Sequence, residues 1–330
     1  MVWTPLHDRL HQTLRSRSLV GRSQRLLLAV SGGQDSLALW RLCLDLQPQW
    51  GWDLGIVHCD HRWRSDSAAN AHQVQTLAQG WGTPCMVVVA STALPSEAAA
   101  RQWRYQVFGH QAQTQGYGAV LTGHTASDRA ETLLHNLMRG SGADGLGSLP
   151  WRRDLEPGLP LVRPLLNWTR QETGAFCRDF QLPVWEDSTN GDRRYGRNRL
   201  RLDVLPLLKQ HFNPQVERHL SQTAELIHAD VVYLEAQAQA LRLQVQQHTA
   251  LHRPPLQAAP LALQRRVMRQ FLQAQLPQAP TFAHIEKAVA LITAPHRSQT
   301  DPFPGGAIAC VDQDWIRLHH PNGPTFRTVL

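Results

Sequence analysis

The chain has 330 residues, 42% of them hydrophobic, with 33 basic residues and a net charge of +7. That length buries a real core in about two domains, no apolar run approaches the ~18 residues of a membrane helix, and the basic balance favours an acidic partner, nucleic acid first. Cys43, Cys59, Cys85, Cys177 and Cys310 are odd in number and scattered, which excludes a CxxC pair or a disulfide framework and suits the cytoplasm. Only Lys209 and Lys287 are lysines, so the first two thirds of the chain hold no Walker-type, Schiff-base or adenylylated lysine.

Residues 1–20 form an arm rich in Arg and Ser and nearly free of acid, a composition shared with organelle targeting peptides. Leu6, Leu10 and Leu14 sit at i, i+4 spacing, which favours an amphipathic helix packed on the next domain. Across 21–195, short apolar runs alternate with amphipathic stretches. Strands are predicted at 26–30, 53–58, 85–90, 118–122 and 161–165, and helices at 36–47, 67–80, 96–115, 127–139 and 169–180. These are βαβ units, hence an α/β domain whose parallel sheet is covered on both faces. The Gly- and Pro-dense stretch 140–160 reads as a long loop. Residues 196–330 form a smaller, mainly helical domain, with helices at 198–210, 214–248, 260–275 and 281–294 and a closing hairpin turning at Asp312 to Asp314.

The chemistry concentrates at strand ends. Leu26–Trp40 reads LLLAVSGGQDSLALW, an apolar strand breaking into small and polar residues before a helix. Such a turn is either a plain reversal or a cradle whose backbone amides and helix dipole converge on an anion. It matches neither GxxxxGKS/T nor GxGxxG. It offers instead the hydroxyls of Ser31 and Ser36, the close approach allowed by Gly32 and Gly33, and the Asp35 carboxylate, which suits a divalent cation held against phosphate.

At the second strand's end, His58, Cys59, Asp60 and His61 alternate between faces and lack further ligands nearby, which speaks against zinc. Arg101 and Arg104 lie at i, i+3 on one helical face, which is solvated unless it meets phosphate. Asp128 and Glu131 open the helix after the 118–122 strand, either as an Asp-x-x-Glu capping box or as paired carboxylates at the ligand-binding edge of the sheet. Arg193, Arg194, Arg197, Arg199 and Arg201 crowd the domain junction, a solvated helix start or a contact for a polyanion.

SGGQDS resembles the pyrophosphate-binding loop of the N-type ATP pyrophosphatases, the PP-loop superfamily. Four further motifs narrow the resemblance to the tRNA-Ile lysidine synthases. HCDHRWR at 58–64 is similar to that family's HxD/NHxxR, and EAAARQWRY at 97–105 to its ExxARxxRY. Residues 121–146 resemble HHxDDQxET…RGS/TG, departing at Thr125, Ser127 and Arg129 while His124, Asp128, Glu131, Thr132, Arg139 and Gly140 match. The fourth stretch, 185–208, resembles EDxS/TN…Y/FxRNxI/LRxxxxPxL. PLALQRRVMRQFL at 260–272 resembles, less specifically, the family's small helical domain, so the resemblance covers roughly 20–275.

The resemblance implies a PP-loop ATP-binding catalytic domain at 21–195 and a tRNA-binding domain at 196–330. It implies that L-lysine is ligated through its ε-amine to C2 of the wobble cytidine in a CAU-anticodon tRNA(Ile), while ATP yields AMP and pyrophosphate. ATP and Mg²⁺ are the implied cofactors. Ser31, Gly32, Gly33, Gln34, Asp35, Ser36, His58, His61, His124 and Arg139 are implied to bind ATP, with Asp35 holding the Mg²⁺. Asp35, Asp128, Glu131, Arg101, Arg197 and Arg201 are the implied catalytic set, and Arg193, Arg194, Arg197, Arg199 and Arg201 the tRNA contacts. Synthesis of 2-thiocytidine by the same activation and a small-molecule amidating ligase are the alternatives, and a homodimer is compatible with either.

Overall fold

The computed structural model describes residues 3–63, 66–186, 191–194 and 196–320. Its first unit runs to His228 and its second begins at Ala229. The chain opens with α1 (Pro5–Ser16), β1 (Arg25–Ala29), α2 (Gln34–Trp50), β2 (Asp53–Asp60), α3 (Ser67–Gly80), β3 (Cys85–Val89), α4 (Glu97–Gln115), β4 (Ala119–Thr122) and α5 (Ala126–Met138). After these come the short α6 (Ala143–Leu146), β5 (Arg152–Glu156), β6 (Leu159–Val162) and α7 (Arg170–Asp179). The sheet order is β3-β2-β1-β4-β6-β5, parallel throughout except that β5 pairs antiparallel to β6.

Period-two alternation explains why the β1 leucines are all buried. Leu26 and Leu28 pack with Leu37, Trp40, Val74 and Phe176 on one face, and Leu27 packs with Val107, Phe108 and Ala112 of α4 on the other. The N-terminal helix joins the first of these layers. It buries Leu10 and Leu14, and the buried His7 places Nε2 3.1 Å from Asp45 of α2. The i, i+4 leucines of the arm are thus part of the α/β core.

The stretch 140–160 is more ordered than its composition suggests. It contains α6 and the edge strand β5, which turns through Pro157 and Gly158 (φ +78°) into β6. Every second residue of RRDLE is exposed, so β5 carries no apolar run to betray it, and its charges blunt the sheet edge. The 161–165 strand accordingly begins earlier, at Leu159.

Composition places the domain boundary at 195/196, but the compact unit closes at His228. The intervening elements are α8 (Gly196–Arg199), a π turn (Leu200–Val204), α9 (Leu205–His211) and the start of α10 (Val216–Val245). They are tied to the α/β domain by buried polar contacts. Glu217 accepts from Ser127 Oγ at 2.8 Å and pairs with Lys209 at 2.7 Å, and Arg129 reaches the Ser221 carbonyl and Glu225.

The second unit contains the rest of α10, β7 (Gln246–Gln247), β8 (Ala250–His252), α11 (Arg253–Ala258), α12 (Leu261–Gln275), α13 (Phe282–Ala290), β9 (Ile308–Asp312) and β10 (Trp315–His319). The hairpin β9–β10 extends through β8 and β7 into a four-stranded antiparallel sheet, β7-β8-β10-β9. Val267, Met268, Phe271, Leu272, Val311 and Ile316 form its core. The unit is therefore less purely helical than expected, because β7 and β8 are only two and three residues long and leave no alternating pattern to read. Among the described residues no helix is long and apolar enough to cross a membrane.

Candidate active site at the carboxyl edge of the sheet

The strand order reverses at β1, which has β2 on one side and β4 on the other. Open α/β sheets bind ligands in the crevice such a reversal opens beyond the strands' carboxyl ends. A cavity of 980 Å³ lies there, lined by the turns after β1, β2 and β4, the first half of α4, and Arg170, Arg197 and Arg201.

The turn after β1 is held open by its own polar groups. Gly32 adopts φ +87°, and a Cβ there would stand 2.3 Å from Asn70 Oδ1. Asn70 in turn donates to the Ser31 carbonyl at 3.0 Å. Ser36 Oγ donates to the Gly33 carbonyl at 2.9 Å and accepts from the Ser31 amide at 3.2 Å, which fixes both hydroxyls beside the start of α2. The first turn of that helix leaves amides without intrahelical partners, an anion site by construction. Gly123, after β4, brings its own turn against this one, since a Cβ would lie 2.7 Å from the Asp35 carbonyl.

Asp35 is bound on the protein side by residues of α7 that the sequence motifs did not mark. Arg170 Nη1 lies 3.1 Å from Asp35 Oδ2, and the Thr173 hydroxyl donates to Oδ1. Gln34 spans the same gap, donating to the Arg170 carbonyl at 2.6 Å. Burial pushes the Asp35 carboxyl above its ordinary range, and the nearby Asp128 charge pushes the same way while Arg170 opposes both. A cation would therefore be welcome. Among the described residues no group of three acidic, His or Cys side chains could hold a metal alone. The donor set thus fits Mg²⁺, which takes one or two carboxylates and draws its remaining ligands from phosphate and water.

The second carboxylate group resolves the two readings of Asp-x-x-Glu. Thr125 is the N-cap of α5 and Asp128 its N3 partner, so the capping box is Thr125–Asp128, one turn earlier than the sequence suggested. Glu131 is 3% exposed and forms a bidentate pair with Arg201, at 2.6 and 2.9 Å. Arg201 also approaches Asp128 at 3.6 Å. Burial raises the Glu131 carboxyl in spite of that bridge. For Asp128 burial also acts upward, but the Thr125 hydrogen bonds and the Arg201 charge oppose it, and the carboxyl lies below its usual range. His124, 2.9 Å from the Thr122 hydroxyl, is pushed down to about 3 by burial and stays neutral.

His58, His61, Arg101, Arg197, Ser31, Gly33, Gln34 and Ser36 line the same cavity. The buried His58 donates Nδ1–H to the Val30 carbonyl at 2.8 Å, tying the ends of β2 and β1 together. Other expected residues lie elsewhere. Arg139 ends α5 exposed, and Arg199 is exposed beside the cavity-lining Asn198. Arg193 pairs with Asp203 at 3.1 Å and Arg194 with Asp192 at 2.7 Å, both at the surface and outside the cavity lining. Arg64, residues 187–190 and Tyr195 of the quoted motifs lie outside the described residues.

The three motif departures have structural work. Thr125 caps α5. Ser127 accepts from the Arg170 amide at 3.0 Å while donating to Glu217. Arg129, 2% exposed, donates to the Leu149 carbonyl at 2.8 and 3.1 Å. Arg170, Thr173 and Asn70 are the site residues the sequence did not reveal. For Arg170 and Thr173 the signal was Thr169-x-x-Glu172, a capping box that starts α7 at the sheet's carboxyl edge.

Residues 4–208 match the PP-loop domain family and residues 251–318 the TilS substrate binding domain family. A tRNA(Ile)-lysidine synthase of Nostoc sp. is 57% identical over 336 residues, covering 97% of this chain and 98% of that protein. One from Synechococcus sp. is 52% identical over 316 residues, 96% and 97% of the two chains. The chloroplastic tRNA(Ile)-lysidine synthase of Zygnema circumcarinatum is 34% identical over 88% of this chain and 81% of its own. Among solved structures, the U34-tRNA thiolase NcsA of Methanococcus maripaludis, determined with its 4Fe-4S cluster, superposes with a TM-score of 0.59. It is 12% identical over 68% of this chain and 80% of that one, a likeness of fold alone.

Proposed function

Because this chain belongs to the tRNA(Ile)-lysidine synthase family, we propose that it ligates L-lysine to C2 of the wobble cytidine in a CAU-anticodon tRNA(Ile). The observation that carries this reading is the meeting, in one cavity, of an amide-rich anion turn with the Asp128–Glu131–Arg201 group. The cytidine O2 attacks the α-phosphorus of ATP, forming an O–P bond as the bond to pyrophosphate breaks. The lysine ε-nitrogen then attacks C2, and AMP leaves carrying the former O2. The amides at the start of α2 and the Ser31 and Ser36 hydroxyls bind the departing pyrophosphate. Asp35 would hold Mg²⁺, which would supply further charge neutralisation at the phosphates.

In this reading the two α5 carboxylates divide the labour. Glu131 is committed to Arg201 and so positions that guanidinium against the cavity. Asp128, ionised and more exposed, holds the ε-ammonium and takes its proton as the C–N bond forms, because an amine attacks only when neutral. Neutral His124 offers a hydrogen bond without adding charge. Arg101 lines the cavity where phosphate or AMP would lie, and Arg197 lines it where the anticodon backbone would enter. Arg193, Arg194 and Arg199 contact the RNA backbone from the surface, exchanging weak exposed ion pairs for phosphate. The second unit adds RNA contacts, and the reaction takes place in the cytoplasm. Burial pushes the Cys59 and Cys177 thiols up to about 12, which is unsuited to sulfur transfer.

The test is incubation with ATP, Mg²⁺, labelled lysine and a CAU-anticodon transcript. Label in the RNA with matching release of pyrophosphate is expected. Pyrophosphate release that needs no lysine-accepting RNA, or RNA that stays unlabelled, refutes the reaction.

A further inference from the structure

One stretch of the cavity wall is aromatic and plays no part in the chemistry above. The buried Asp60 accepts from the Arg62 amide at 2.8 Å, and Arg62 adopts the left-handed conformation (φ +56°) that non-glycine residues rarely take. This reversal sets Trp63 in the cavity wall, where its indole N–H donates to the Leu94 carbonyl at 3.0 Å. The His61 ring packs on Trp63 with centroids 5.7 Å apart and on Trp103 at 5.3 Å. Trp63 is therefore held by its edge and by a neighbour, yet remains 44% exposed. Arg101 and Arg104 line the same wall. A fixed, open indole beside arginines, in a cavity with a phosphate-binding floor, is the arrangement that stacks a nucleobase.

We infer that Trp63 is a stacking platform for an unpaired base of the anticodon loop. The inference rests on the RNA substrate proposed above. The adenine of ATP is a second source of the same ring chemistry. RNA is favoured because Ser36, His58 and Thr122 are buried at the strand ends, whereas Trp63 stands exposed at the rim, where a loop arriving from solvent meets it first. The platform is preorganised, so little ordering of the indole accompanies binding.

The test uses the full chain with Trp63→Ala, Trp63→Phe and Trp63→Tyr. Trp63→Ala raises the KM for tRNA and the Kd for an anticodon stem-loop about ten-fold or more, with the KM for ATP unchanged. Phe and Tyr keep a ring and recover most of the affinity. The difference in tryptophan emission between wild type and Trp63→Phe is quenched by the stem-loop and not by ATP alone. Unchanged RNA affinity in Trp63→Ala, or a loss of ATP affinity in its place, overturns the inference. If the Ala variant fails to fold, the Phe and Tyr series and the emission difference still decide. The stem-loop measurement needs no turnover, so its outcome is separate from that of the lysine-labelling assay.

Discussion

Removing Arg201 strands a carboxylate. Glu131 is 3% exposed and both its oxygens accept from that one guanidinium, so Arg201→Ala leaves a buried charge whose bidentate partner is gone, with Asp128 one turn away. Breaking a buried pair from one side costs about 3–5 kcal/mol, and for a unit of this size each kcal/mol moves the midpoint by roughly 2–4 °C. Thermal and urea melts should therefore show a fall of roughly 6–20 °C. The pair itself is not expected to be strongly stabilising, since burial already raises the Glu131 carboxyl in spite of the bridge. The double variant Arg201→Met with Glu131→Met should recover most of the lost stability while remaining inactive. The pH dependence has a definite sign. A carboxyl whose folded pKa lies above its unfolded value of about 4.3 binds its proton more tightly when folded, so its contribution improves as pH falls and is lost as pH rises through the folded value. Arg201 is one of the groups lowering that value, so its loss widens the window, and the Arg201→Ala deficit should shrink on acidification from pH 7 to about 5. A loss below about 1 kcal/mol, additive single and double variants, or a deficit independent of pH refutes the argument.

Gly32→Ala places a Cβ on Asn70 in a left-handed backbone, so pyrophosphate formation should fall at least about ten-fold with a raised ATP KM; a near-normal ATP KM contradicts the close packing assigned to this turn. Asp35→Ala should abolish AMP formation, whereas Arg197→Ala should weaken RNA binding and flatten its dependence on log salt by about one unit; equal effects of both on nucleotide turnover contradict that division. His124 refuses a proton down to about pH 3, while the unfolded chain accepts one near its ordinary value, so it removes stability as pH falls below about 6.5. His124→Asn should lessen the acid loss by about 2 kcal/mol between pH 7 and 5, and parallel slopes for the two proteins would show that this histidine is ordinary.

The parts of the site legible in the sequence were those carried by strand ends. β1, β2 and β4 are apolar runs that any period-two reading finds, and the functional turns follow them immediately. What stayed hidden had no periodic signature. β5 is a charged edge strand, and β7 and β8 are too short to alternate. Arg170 and Thr173 meet Asp35 across more than a hundred residues of chain, a contact fixed by tertiary packing of α2 on α7. The Arg129 departure illustrates the converse. A charge in an apparently catalytic helix proved to be a tie to the Leu149 carbonyl, and only burial could reveal that. The crowded arginines likewise separate into Arg197 and Arg201 at the cavity and the others at the surface, because a run of like charges says nothing about which face each will take.

The π turn over Leu200–Val204 makes this part of the chain sensitive to its length. A π turn accommodates one residue beyond ordinary α-helical winding. Adding a further residue there, or deleting one from the regular α-helix on either side, would swing the following side chains by about 100°, so that continuity of the backbone and alignment with α5 could not both be kept. The Gly-rich segment at 140–142, exposed for most of its length, can absorb a lost or gained residue. The two stretches thus differ in what they tolerate: one is a spacer, and the other is a ruler.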